Sequence, residues 1–96
     1  MKFEWDESKN IKNIKKHNVS FDEAKTVFYD NNALYEYDED HSTIEERFKI
    51  IGVSYKERLL IVCHCVRKND VIRIYFAREA EIDERRLYYK IVGGEK

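Results

Sequence analysis

Residues 59–77 read LLIVCHCVRKNDVIRIYFA, two apolar runs parted by the polar tetrad Arg67-Lys68-Asn69-Asp70. Short runs rich in Val, Ile, Tyr and Phe with so brief a polar break predict two strands of an antiparallel hairpin, Leu59–Val66 and Val71–Ala77. The register stays open. If Arg67 lies opposite Asp70, His64 faces Arg73 and Val62 faces Tyr75, and these side chains share a face with Leu60; in the other parity the sets separate. Either way both faces carry apolar residues. The sheet therefore expects cover on both sides, by N-terminal helices on one face and in part by a last helix on the other.

Upstream, period-two patterning continues through Ala33–Tyr37 and Arg47–Ser54, with Tyr55-Lys56-Glu57-Arg58 as the next turn. Links this short favour a four-stranded, mainly antiparallel meander. Before it, the spacing changes to that of helices. Asp6 suits an N-cap, Ile11 and Ile14 form one stripe, and Lys9, Lys12 and Lys16 recur along a basic flank. Asn18 sits where a left-handed C-cap residue belongs. Ser20 and Glu23 read as a capping box opening a second helix that buries Phe21, Ala24, Val27 and Phe28 and stops at Asp30-Asn31-Asn32. Residues 3–5 are too few for a periodic signal, though a short edge strand fits them. Glu81–Ile91 returns to helical character with Ile82, Leu87 and Ile91 as docking residues, ended by Gly93-Gly94. The order is helix, helix, four strands, helix: one α+β domain over residues 1–96.

The chain has 18 basic and 19 acidic side chains, a formal net charge of −1, 14 % aromatics, 3 Gly and no Pro. Aromatic content and balanced charge exclude a disordered chain. Net charge alone does not mark a nucleic-acid binder, but its distribution is uneven. Lysines gather on the first helix, whereas residues 36–46 hold six carboxylates and no Lys or Arg. The start, MKFEWDESKN, lacks an apolar signal core, and no run approaches the ~20 apolar residues of a membrane span. Cys63 and Cys65 read as small buried thiols of a reduced cytoplasmic protein, and two thiols alone do not make a zinc site.

No glycine-rich phosphate loop, His-x-x-x-His zinc pair or nucleophile elbow occurs. Metal-free acid–base chemistry on an anionic substrate would need a base, cations for the developing negative charge and an acid for the leaving group. His64, Arg67, Arg73 and Arg78 on the last two strands, with Arg47, Tyr88 and Tyr89, could supply them. Each has a plainer reading. His64 between two cysteines suits a structural histidine, Arg67 a solvated turn, Arg73 a carboxylate pair and Arg78 a brace at the last helix. His17 at a helix end complements the helix dipole, and Lys9, Lys12 and Lys16 can be a solvated face. Asp38, Glu39 and Asp40 read as a flexible acidic loop, and His41 within it has no assignment.

Phe3-Glu4-Trp5-Asp6, Lys9, Asn13, Lys16-His17, Val19-Ser20-Phe21 and Glu23-Ala24 together resemble the N-terminal signature of the BrnT family. Asp40-His41-Ser42, Glu46-Arg47-Phe48 with Ile51-Gly52, His64-x-x-Arg67, Ile72-Arg73-Ile74 and Ala77-Arg78 extend the resemblance over residues 3–89. It implies a RelE-like α+β fold and a ribonuclease toxin of a type II toxin–antitoxin system. Such a toxin blocks translation and is neutralised by a BrnA-type antitoxin, through which alone the complex would touch promoter DNA. The resemblance also implies action without metal or other cofactor, as is general for RelE-like nucleases. Carried over by position, the likeness points to Arg67 and Arg78, then His64 and Arg73, as catalytic, with Lys16, His17, Arg47, Tyr88 and Tyr89 toward RNA. Asn18 replaces a usual Gly, and Glu79 stands where a basic residue is common, lowering the potential beside Arg78. A catalytically weak, antitoxin-binding co-repressor module is the alternative.

Overall fold

Five strands, not four, make the sheet. The computed structural model describes residues 1–93, so Gly94 of the expected helix stop lies outside the described residues. The elements are β1 (Lys2–Glu4), α1 (Glu7–His17), α2 (Phe21–Ala24) continued by a 3-10 turn at Lys25–Tyr29, β2 (Leu34–Tyr37), β3 (Phe48–Val53), β4 (Leu59–Arg67), β5 (Val71–Glu79) and α3 (Ile82–Ile91). Strand order is β1-β5-β4-β3-β2. The meander from β2 to β5 is antiparallel as its short links require, while β1 joins β5 in parallel. A three-residue strand carries no periodicity, and its partner lies at the other end of the chain, so only tertiary pairing creates it.

Local signals hold at the helix ends. Asp6 accepts the Ser8 N–H at 2.8 Å, and Asn18 ends α1 in the left-handed region (φ 58°). Ser20 caps α2 by accepting the Glu23 N–H at 3.0 Å. The reciprocal half of the capping box is missing, because the Glu23 carboxylate is drawn to Ser54 and Arg58 instead. The helix-facing core joins Val19, Phe21, Ala24, Val27 and Phe28 to Ile50, Leu60, Val62, Ile72, Ile74 and Ala77. Gly52 permits that approach: a Cβ there would meet Val27 Cγ1 at 2.8 Å. The opposite face has a smaller cluster, Ile51, Leu59, Ile61 and Tyr88, beneath α3. Both faces are thus covered in the expected division.

Two amphipathic readings are corrected. Ile11 and Ile14 stay 49 % and 41 % exposed, while α1 buries Asn10 and Asn13. The reason is the free edge of β5 beyond the short β1. Asn13 occupies it like a strand residue, donating to the Ala77 carbonyl at 2.9 Å and accepting the Ala77 N–H at 3.1 Å. An unpaired edge invites aggregation, and a carboxamide satisfies it where an isoleucine could not. Likewise α3 buries Tyr88, leaving Ile82, Leu87 and Ile91 exposed.

The open register resolves into both parities. Near the turn Arg67 pairs with Val71 and Cys65 with Arg73, a three-residue connection; a bulge between Cys63 and His64 then shifts the ladder so that Cys63 faces Phe76. Tyr75 is the additional residue. Its hydroxyl lies 3.3 Å from Cys65 Sγ, so Tyr75 and Phe76 both address the face of the two cysteines.

Candidate nucleic-acid site

The helix α1 leans along β5 and encloses an open groove of about 350 Å³ lined by Lys9, Lys12, Asn13, Lys16, His17, Tyr75 and Phe76. The lysines lie there because burying Asn10 and Asn13 turns their helical neighbours toward the strand. Lys9 Nζ sits 5.5 Å from the Tyr75 ring centre, and the His17 and Phe76 rings are 6.3 Å apart. Cations beside aromatic faces suit phosphates flanked by stacked bases.

Past Tyr75 the cationic surface continues. The Arg47 guanidinium lies 3.5 Å above the Tyr75 ring, with Arg47 Nε buried and without a partner among the described residues. The Tyr75 hydroxyl donates to Glu45. Arg67 reaches Glu45 at 3.6 Å and Glu4 at 3.8 Å, and Arg73 bonds Glu4 at 3.1 Å. Burial, then bonding to Cys65 and Glu45, raises the Tyr75 pKa, so the phenol keeps its proton. The Tyr75 hydrogen bond, against a smaller burial penalty, keeps Glu45 below the usual carboxylate range.

The segment between β2 and β3 is anchored rather than flexible, correcting the expected loose acidic loop. The Asp38 N–H donates to the Arg47 carbonyl at 2.9 Å. Ser42 Oγ donates to the Asp38 carbonyl at 2.7 Å and accepts the Arg47 N–H at 2.9 Å. Asp38 is 2 % exposed. Its carboxylate receives His41 Nδ1 at 2.9 Å and the Cys63 thiol at 3.3 Å. Burial pushes the Asp38 pKa up, but these bonds outweigh it and the net direction is down. Burial and the adjacent carboxylate push the Cys63 thiol up to about 12. The donor atoms of Asp38, His41 and Cys63 lie within 4.8 Å of one another, the one set among the described residues with a metal-ligating mix. Hydrogen bonds already satisfy them mutually.

The candidates from sequence therefore divide. Arg47, Arg67 and Arg73 come together around Tyr75, and Lys16 and His17 line the adjoining groove. Arg78 stands apart, gripped by Glu84 through two bonds of 2.8 and 2.9 Å that brace β5 to α3. Glu79 is engaged by Arg58, so the carboxylate that neutralises Arg78 is Glu84. His64 points to the helix-facing core, 2 % exposed, its ring 4.8 Å from Phe28. Desolvation lowers its pKa, so it stays neutral. Tyr88 is buried and donates to Asp30 at 2.5 Å, with Tyr89 packed edge-on against it. His64 and Arg78, which the resemblance implied as catalytic, and Tyr88 and Tyr89, which it implied toward RNA, thus lie apart from the arginines around Tyr75 and make contacts within the fold. Sequence reasoning missed Tyr75 and Phe76, which only the bulge brings to the groove, and the Asp38–His41 pair, whose i,i+3 spacing was the available signal.

Fold and groove define a small α+β domain with a cationic, aromatic-lined face on one side of a mixed sheet. Residues 5–84 match the family model of the ribonuclease toxin BrnT of type II toxin–antitoxin systems, and the chain belongs to that family. The 1.1 Å crystal structure of the Brucella abortus ribonuclease toxin BrnT has a similar fold, with a TM-score of 0.64 at 23 % identity over 84 % of this chain and 97 % of that one. Comparison with curated protein sequences gives no match. No helix among the described residues is long and apolar enough to cross a membrane.

Proposed function

We propose that this chain is a metal-independent endoribonuclease that cuts RNA across the groove between α1 and β5 and so inhibits translation. The observation that carries the reading is the alignment of Lys9, Lys12, Lys16 and His17 with Tyr75 and Phe76, continuous with Arg47, Arg67 and Arg73. The helix lysines track phosphates, the aromatic pair stacks bases, and Arg67 and Arg73 stabilise charge at the scissile phosphate. A cytoplasmic antitoxin of BrnA type, also the link to promoter DNA, would neutralise the toxin by covering this face.

The test is cleavage of a labelled RNA by the purified chain in EDTA, with Arg67→Ala and Lys16→Glu alongside. Cleavage by wild type, weakened in both variants, supports the reading; intact RNA sinks it. One observation favours the co-repressor alternative: Arg67, Arg73 and Arg78 each already face a carboxylate, Glu45, Glu4 or Glu84. Induced expression without antitoxin separates the two, because only a nuclease arrests growth.

A further inference from the structure

The turn Glu39–His41 carries a histidine that has no part in the cleavage scheme so far. The backbone of its partner Asp38 is held from both sides by the Ser42 and Arg47 bonds, and the Cys63 thiol holds the carboxylate from the strand. Both Asp38 oxygens meet His41 Nδ1, at 3.1 and 2.9 Å. An ionised carboxylate only accepts hydrogen bonds, so Nδ1 carries the proton and Nε2 the lone pair. Nε2 has no partner among the described residues. The imidazole is half-exposed, and its ring lies 6.1 Å from Phe76, whose ring also neighbours His17 in the groove. A buried carboxylate, a fixed tautomer and an exposed second nitrogen at the rim of a cationic groove make a proton acceptor placed for a bound ribose.

We propose that His41 is the general base of RNA cleavage and that Asp38 is the positioning residue that orients it. The inference rests on the ribonuclease reading. His41 Nε2 takes the proton of a ribose 2′-OH while the 2′-oxygen bonds to phosphorus. The P–O5′ bond breaks, the 5′-oxygen leaves as a hydroxyl with a proton from solvent, and a 2′,3′-cyclic phosphate remains. His41 then returns its proton to water. Several groups set its electrostatics. Asp38, Glu39 and Asp40 lie on its own segment, with Arg47 at the segment's far end. Lys49 comes from β3, the Cys63 thiol from β4, and His17 from α1 beyond Phe76. Asp38 makes the direct contact.

The experiment measures single-turnover cleavage of a short RNA against pH, in EDTA, for wild type, His41→Ala, His41→Gln, Asp38→Asn and Asp38→Glu, each checked for an unchanged unfolding transition. Both His41 variants are expected to cleave about 10²–10⁴-fold more slowly while binding a 2′-deoxy-blocked RNA as wild type does. Asp38→Asn is expected to slow the single-turnover rate by less, with RNA binding unchanged, and Asp38→Glu to recover part of the loss, since the ring loses and then regains the carboxylate that orients it. Nitrogen NMR of the His41 ring should show the Nδ1–H tautomer in wild type and the loss of that preference in Asp38→Asn, without any reliance on activity. A folded His41→Ala with wild-type rate overturns the assignment and leaves the ribonuclease reading standing. Intact RNA with wild type, in EDTA and with Zn²⁺ supplied alike, removes both. Cleavage abolished by EDTA and restored by Zn²⁺ overturns the base in favour of a metal held by Asp38, His41 and Cys63.

Discussion

The two faces of one sheet do different work. The helix-facing side is apolar and closed: Val19, α2 and the turn after it seal Ile50, Leu60, Val62, Ile72 and Ile74, and even its histidine is neutral and buried. The other side is sealed only at the α3 end, by Tyr88 and its neighbours. The remainder carries Asp38, His41, Arg47, Cys63, Arg67, Arg73 and Tyr75, bonded to one another or to the carboxylates of Glu4 and Glu45. Alternation along β4 makes this possible, since consecutive residues serve opposite faces. Cys63 belongs to the polar network and Val62 to the core. Stability and chemistry are thus separated by the thickness of a strand, and substitutions should sort by face.

The largest loss is expected at Glu23, 1 % exposed and bonded to Arg58 Nε at 2.9 Å. Glu23→Gln should cost about 3 kcal/mol, the low end for a broken buried pair because Arg58 keeps Glu79 and some solvent; urea unfolding measures it. The same pair sets a pH dependence. Burial raises the Glu23 pKa, but the Arg58 and Ser54 bonds win and hold it below the usual carboxylate range. A depressed folded pKa means the stabilisation is complete above the unfolded value and is lost as pH falls through the folded one. Stability should therefore drop on acidification in wild type and more shallowly in Glu23→Gln.

Gly52→Ala comes next, at roughly 1–3 kcal/mol of overpacking against Val27, read as a lower thermal midpoint. On the open face the order reverses. Lys12→Glu with Lys16→Glu should leave stability within about 0.5 kcal/mol. RNA binding should nonetheless weaken, and its salt dependence flatten by about one unit for each phosphate no longer neutralised. Equal RNA affinity at low salt would remove the groove from the site. The smallest effect is expected for Leu87→Gln on the outward side of α3, within about 0.5 kcal/mol by chemical unfolding. A larger loss would show that this exposed side packs where the structure leaves it open.

Much of this was legible in the chain. Asp6, Asn18 and Ser20 mark helix ends through contacts spanning only a few residues, and the hairpin breaks at residues 55–58 and 67–70 stand where the apolar runs stop. Ordered matches to the BrnT pattern located Arg47, Arg67 and Arg73, which the fold does gather. Composition and periodicity determined the α+β class, the meander and two-sided cover of the sheet, because those properties follow from local spacing and the need to bury alternate side chains. Tertiary structure alone decided the parallel β1, the bulge that sends Tyr75 and Phe76 to one face, the choice of Asn10 and Asn13 over Ile11 and Ile14 as the inward side of α1, and the burial of Asp38 beside Cys63. Each of these depends on a strand edge or a partner far along the chain, and no local period can report which distant group will be there.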